Sequence, residues 1–95
     1  MSQGFYQGQL LEIDEGDYWT WKFMVQHQGR EYYLKAFSSG NPYGKAKAYA
    51  EALLDRNLEY QEELDPYLLT GLSAALDVGI VKKNGREYNE ILSIV

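Results

Sequence analysis

The stretch YWTWKFMVQHQGREYYLKAF, residues Tyr18 to Phe37, sets seven Tyr, Trp and Phe rings and one imidazole among Lys22, Arg30 and Lys35. Gly29 near its centre is free to take positive φ, so HQGR reads as a tight turn between two strands. With Gln28 and Gly29 as the loop, His27 falls opposite Arg30, Val25 opposite Tyr32, Phe23 opposite Leu34 and Trp21 opposite Ala36. Side chains alternate across a strand, so this register gathers Trp19, Trp21, Phe23, Val25, Tyr32, Leu34 and Ala36 on one face. That face is assigned to the core. The other gathers Tyr18, Thr20, Lys22, Met24, Gln26, Glu31, Tyr33, Lys35 and Phe37, too polar to bury yet too aromatic for an idle solvent face. A slip of one residue would exchange the two faces.

Working outward, Phe5 to Ile13 reads as a first strand, closed by the turn-prone DEGD. After Phe37, SSGNP breaks the third strand, and Asn41 before Pro42 is the expected cap and first position of a helix. In YGKAKAYAEALLDR, Ala46, Tyr49, Ala50 and Leu53 recur at helical spacing, with Lys45, Lys47 and Glu51 off that stripe. Asp65 and Pro66 are expected to start a short helical turn that Gly71 ends. The remainder is two strands about Asn84-Gly85, the preferred dipeptide of a type I′ hairpin. The expected fold is mainly β with one helix, an α+β arrangement of five strands with the helix between the third and fourth. That order is the OB-fold, a Greek-key barrel whose second and third strands and hairpin loops commonly hold oligonucleotides.

With 95 residues, no internal repeat and no linker-like tract, residues 1–95 are expected to form one domain. The chain has no Cys and one His, so thiol chemistry is excluded and neither a metal site nor a cofactor is expected. The acidic runs EIDEGD and EYQEELD lack the desolvated setting that acid/base catalysis needs and the ligand spacing of a calcium loop, so no catalytic residue and no enzyme activity is assigned. No apolar run approaches a membrane span and the start lacks the pattern of a signal peptide, which makes a soluble cytoplasmic protein the expectation. Net charge is −5, but it is segregated. Ten of the fourteen acids lie in Glu12 to Asp17 and Glu51 to Asp65, leaving eight bases against four acids elsewhere. A basic surface is thus compatible with an acidic total.

Taken in order, GFYQGQLLEIDEG, WKFMV, GKAKAYAEALLD and LLTGLSAALDVGIVKKNGREYNEILSIV resemble the small single-stranded-DNA-binding proteins of bacteriophages and mobile genetic elements. The resemblance spans nearly the whole chain and implies an OB-fold acting in DNA replication or recombination, with no catalytic residue. Its departures are Asn41, Pro42 and Gly44 at the helix start, where relatives tend to be more basic, and an ending at ILSIV without the acidic tail by which many bacterial single-strand binders recruit partners. Tail-mediated recruitment is therefore not expected. Bases are expected to stack on Tyr18, Tyr33 and Phe37, at roughly 1–3 kcal/mol each. Lys22, Lys35, Lys82, Lys83 and Arg86 would meet phosphates. The expected partner is single-stranded DNA, joined by a replication protein or a second copy of the chain, with no membrane and no small-molecule substrate. The rival is a protein-interaction module of the same fold, a replisome accessory or a phage-encoded inhibitor of a host enzyme.

Overall fold

Positive φ at both loop residues, 52° at Gln28 and 75° at Gly29, gives the central hairpin a two-residue type I′ turn, whose twist matches that of paired strands. In the computed structural model, which describes residues 1–40, 44–60 and 62–95, this turn joins strands β2 (Trp19–His27) and β3 (Arg30–Ser38). Their register pairs His27 with Arg30, Val25 with Tyr32, Phe23 with Leu34 and Trp21 with Ala36, as the turn dictates. Trp21, Phe23, Val25, Leu34 and Ala36 are buried, while Trp19 and Tyr32 at the margins are only partly covered. Each fully buried large apolar side chain contributes about 1.5–3 kcal/mol. Trp21 also donates its indole Nε1–H to Ser38 Oγ at 2.7 Å, which satisfies the polar atom of each inside the core.

Strand β1 (Gly4–Asp14) is shared between two partners. Its first part, Gly4 to Gln9, pairs with β4 (Ser73–Lys83), and Gly8 to Asp14 pairs with β2. The overlap is Gly8 and Gln9, and Gly8 is buried: a Cβ there would collide with the Leu76 side chain and lie 3.5 Å from Val25 Cγ2. Glycine at this point leaves the space that the Leu76 side chain fills across the sheet. Further along the strand, Leu11 is an extra residue with no partner on β2, a β-bulge that simple alternation along the sequence does not reveal. The bulge reverses the facing of the last residues of β1. Leu10 points inward, and beyond the bulge Ile13 does so opposite Trp21, sending Glu12 and Asp14 outward.

Helix α1 (Lys45–Leu54) buries Ala46, Tyr49, Ala50 and Leu53, the four residues of the apolar stripe. The Tyr49 ring meets Trp21 edge-on at 5.4 Å, docking α1 on the hairpin's apolar side. The helix starts with Gly44 in the cap position and no side-chain cap; the expected Asn41 and Pro42 lie outside the described residues. Helix α2 (Pro66–Leu69) begins as expected, with the Asp65 carboxylate accepting from the Tyr67 N–H at 3.0 Å, and Gly71 beyond it takes φ 90°. Strand β5 (Arg86–Ile94) returns from β4 through Asn84 and Gly85, at φ 52° and 75°, a second type I′ turn.

The hydrogen-bonded strand order is β3-β2-β1-β4-β5, all pairs antiparallel. The end strands β3 and β5 come into contact without a hydrogen-bonded ladder, so the sheet curls into a nearly closed barrel with one open seam. Inside it Leu10, Trp21, Phe23, Leu76 and Val78 form a continuous core, completed at one end by α1 and Leu69 of α2. The first strand runs one residue further at each end than expected, and β3 gains Ser38.

Candidate functional site

The solvent face of the central hairpin is set by the same register. Along β3, Tyr33, Lys35 and Phe37 alternate with the buried Leu34 and Ala36. Lys22 of β2 lies directly opposite Lys35, and like charges in that relation oppose sheet formation. The bulge at Leu11 relieves the conflict, because it turns Glu12 and Asp14 onto Lys22 at 3.0 and 2.7 Å. Hydrogen bonds to Asp14 first and Glu12 second raise the Lys22 pKa above its ordinary value. Lys35 has no carboxylate partner among the described residues, and neither do Lys82, Lys83 and Arg86.

At the open seam between β3 and the β4–β5 hairpin lies a groove of about 470 Å³. That volume is in the range of small-molecule and single-nucleotide sites, roughly 300–1,000 Å³. Tyr33, Lys35 and Phe37 form one wall; Val81, Lys83 and Tyr88 contribute to the other. The three rings, Tyr33, Phe37 and Tyr88, remain 65%, 58% and 48% exposed, so their faces are open to a flat ligand. The Tyr33 hydroxyl donates to Glu31 Oε2 at 2.6 Å, which steadies the ring and raises its pKa, mainly through that hydrogen bond. A smaller hollow of about 240 Å³ adjoins the groove, bounded by Leu11, Lys22, Tyr33 and Lys35 among others.

Four of the sequence candidates, Tyr33, Lys35, Phe37 and Lys83, therefore share the groove, and Lys22 borders the adjoining hollow with its charge already held by two carboxylates. Tyr18 is exposed but lines neither space; it stands two residues before Thr20, which pairs with Phe37. The basic cluster of the closing hairpin is split by the pleat. Lys83 pairs with Arg86 and Lys82 with Glu87, so Lys82 faces away from Lys83. Arg86 shares the Lys83 side without lining the groove. Tyr88 was not among the candidates, although the Asn84-Gly85 turn contains the signal for it: extending that register places Tyr88 opposite Val81, two residues from Lys83 on the same face. His27 at the other turn is half-buried and meets the Tyr6 ring edge-on at 5.0 Å, a packing contact.

Among the described residues no group of three or more His, Asp or Glu side chains is placed to hold a metal ion. No helix among them is long and apolar enough to cross a membrane. What the groove offers chemically is stacking surface, cationic charge and hydrogen-bonding groups. Comparison with protein-family models and with curated proteins yields no match for this chain.

Proposed function

We propose that the chain is a non-enzymatic OB-fold protein that binds single-stranded DNA in the replication or recombination of a phage or mobile element. The observation that carries this reading is the convergence of three exposed rings with Lys35 and Lys83 in the groove at the β3–β5 seam. Unpaired bases present flat faces to such rings, each stacked base contributing about 1–3 kcal/mol, and the lysines compensate the phosphates that join them. The strand order supports the fold assignment. Closing the seam gives the ring β1-β2-β3-β5-β4, the Greek-key order of the OB barrel, with α1 following β3 and preceding β4 in the chain.

A protein-interaction role for the same barrel is favoured by a second surface. Tyr60, Tyr67 and Leu68 are exposed in the segment in and before α2 that also carries Glu59, Glu63 and Asp65, apolar and acidic side chains unsuited to DNA phosphates. Titration of a fluorescent single strand at two salt concentrations decides between the readings. Saturable binding that weakens with salt, by about 0.7 log units of affinity per log unit of salt for each neutralised phosphate, supports the first. Absence of binding at low salt leaves the protein-docking role.

A further inference from the structure

Glu90 is out of place in a cationic groove. Of the acids nearby, Glu12 is held by Lys22 at 3.0 Å and Glu31 by the Tyr33 hydroxyl at 2.6 Å. Glu90 lines the groove itself, is exposed, and has neither ion-pair nor hydrogen-bond partner among the described residues. Its cross-strand neighbour is Gly79, which has no side chain to engage it, and Tyr88 lies two residues away on the same face. The adjacent Asn89 amide is already committed, donating to the Met1 carbonyl at 2.7 Å and accepting from the Met1 ammonium at 2.8 Å. Among the described residues, Glu90 and the Tyr88 hydroxyl are therefore the side-chain groups of the β5 wall without a hydrogen-bond partner, and the carboxylate is the one that carries charge.

A carboxylate is acceptor-only and repels phosphate, so the part of a nucleotide it can receive is a donor edge of the base. Thymine and uracil offer one N–H between two carbonyl acceptors. Adenine and cytosine each offer one amino group next to an acceptor nitrogen. Guanine alone sets two donors side by side, N1–H and the N2 amino group, at the spacing of two carboxylate oxygens. We propose that this groove selects guanine: the base stacks on the groove's rings, Glu90 accepts from N1–H and N2–H, and Lys35 and Lys83 meet the flanking phosphates. This deepens the single-strand reading and rests on it. The same edge is carried by guanine within a strand and by a free guanine nucleotide.

The test compares labelled oligothymidylate with the same strand carrying one central guanine, or one central hypoxanthine, which keeps N1–H but lacks the amino group. A bidentate base contact of this kind is worth roughly 5- to 150-fold in affinity. The guanine strand should therefore bind at least about fivefold more tightly than oligothymidylate, with hypoxanthine between them. Glu90→Gln should bring the three strands close together, since it removes the paired acceptors for N1–H and N2–H without touching the rings. Because Glu90 is exposed, the variant's circular dichroism should match the parent's. Equal affinities for all three strands on the parent protein, or an unchanged guanine preference in Glu90→Gln, overturns guanine selection and leaves single-strand binding standing. No binding of any strand overturns the single-strand reading itself. Competition separates the two sources: GMP that displaces the guanine strand at the strand's own concentration makes the free nucleotide the ligand and overturns selection within a strand, whereas displacement only at far higher concentration supports it.

Discussion

Tyr33 joins both faces of the central hairpin's logic in one residue: its ring is exposed in the groove while its backbone neighbours Tyr32 and Leu34 point toward the core. Tyr33→Ala should lower single-strand affinity by about 1–3 kcal/mol and leave the melting temperature near the parent's, since it removes a stacking surface and no core contact. Loss of the fold, read by circular dichroism, would contradict the placement of the ring outside the core. Gly8 behaves in the opposite way. Gly8→Ala places a methyl group against Leu76 in the closed sheet and should destabilise by about 1–3 kcal/mol in denaturant unfolding, with little change in affinity at constant folded fraction. A neutral result would mean that Leu76 yields without cost. Away from the groove, Arg56 holds Glu62 at 2.7 Å and, with the Glu59 N–H, lowers the Glu62 pKa from 4.5 to about 2. A depressed carboxylate stabilises above its unfolded pKa, so this contact is complete above about pH 4.5 and is lost as pH falls toward 2. Carboxyl NMR should follow Glu62 to that low midpoint, and Arg56→Ala should return it toward the ordinary value. Residues such as Trp21, Phe23 and Tyr33 were legible in the sequence because one turn fixes their facing. The Lys22 clamp was not, because it depends on Leu11, whose extra place in β1 is set by pairing with β2 and has no local signature.

At the scale of elements, both hairpins were legible and the central one down to its register, since Gln28-Gly29 and Asn84-Gly85 each accept positive φ. The helical stripe of α1 was legible for the same kind of reason, four residues at one period and no competing pattern. What alternation within a single hairpin could not convey was that β3 and β5 would meet at a seam, bringing Tyr88 and Glu90 against Tyr33 and Phe37 from far along the chain. The closing hairpin provides an element-scale expectation. Replacing Lys82, Lys83 and Arg86 together by Ala should barely change stability, because exposed turn charges contribute little. Lys83 lines the groove, Arg86 lies on its side and Lys82 faces away, so fewer than three phosphate contacts should vanish. The slope of log affinity against log salt should accordingly flatten by about 0.7–1.4. Lys83→Ala alone should account for at least half of the change, whereas Lys82→Ala should leave the slope where it was. Equal effects from the two single substitutions would contradict the division of the cluster by the pleat, and an unchanged slope in the triple variant would remove this hairpin from the interface.

On the scale of the whole molecule, a net charge of −5 works against any polyanion that approaches indiscriminately. The carboxylates of Glu12 to Asp17 lie at the end of β1 and in the turn to β2, those from Glu51 to Asp65 lie in α1 and the segment leading to α2, and Lys35 and Lys83 in the groove lack acidic partners among the described residues. Segregation of this kind was visible in the sequence as a charge pattern, but its consequence depends on the barrel's closure, which decides which segments become neighbours. A duplex presents phosphates over a broad cylinder and keeps its base faces stacked within, so it would meet the net negative charge of the protein and gain nothing from Tyr33, Phe37 or Tyr88. A single strand is narrow enough to follow the seam and can turn its bases onto the rings. Native gel shifts at low salt with a strand and its duplex should therefore show binding of the strand alone over the range in which it saturates. Raising the salt should weaken the single-strand complex without abolishing it, because stacking does not depend on counterion release. A complex with duplex equal to or tighter than that with the strand would mean that charge alone drives association, and neither the groove nor its rings would then be the interface.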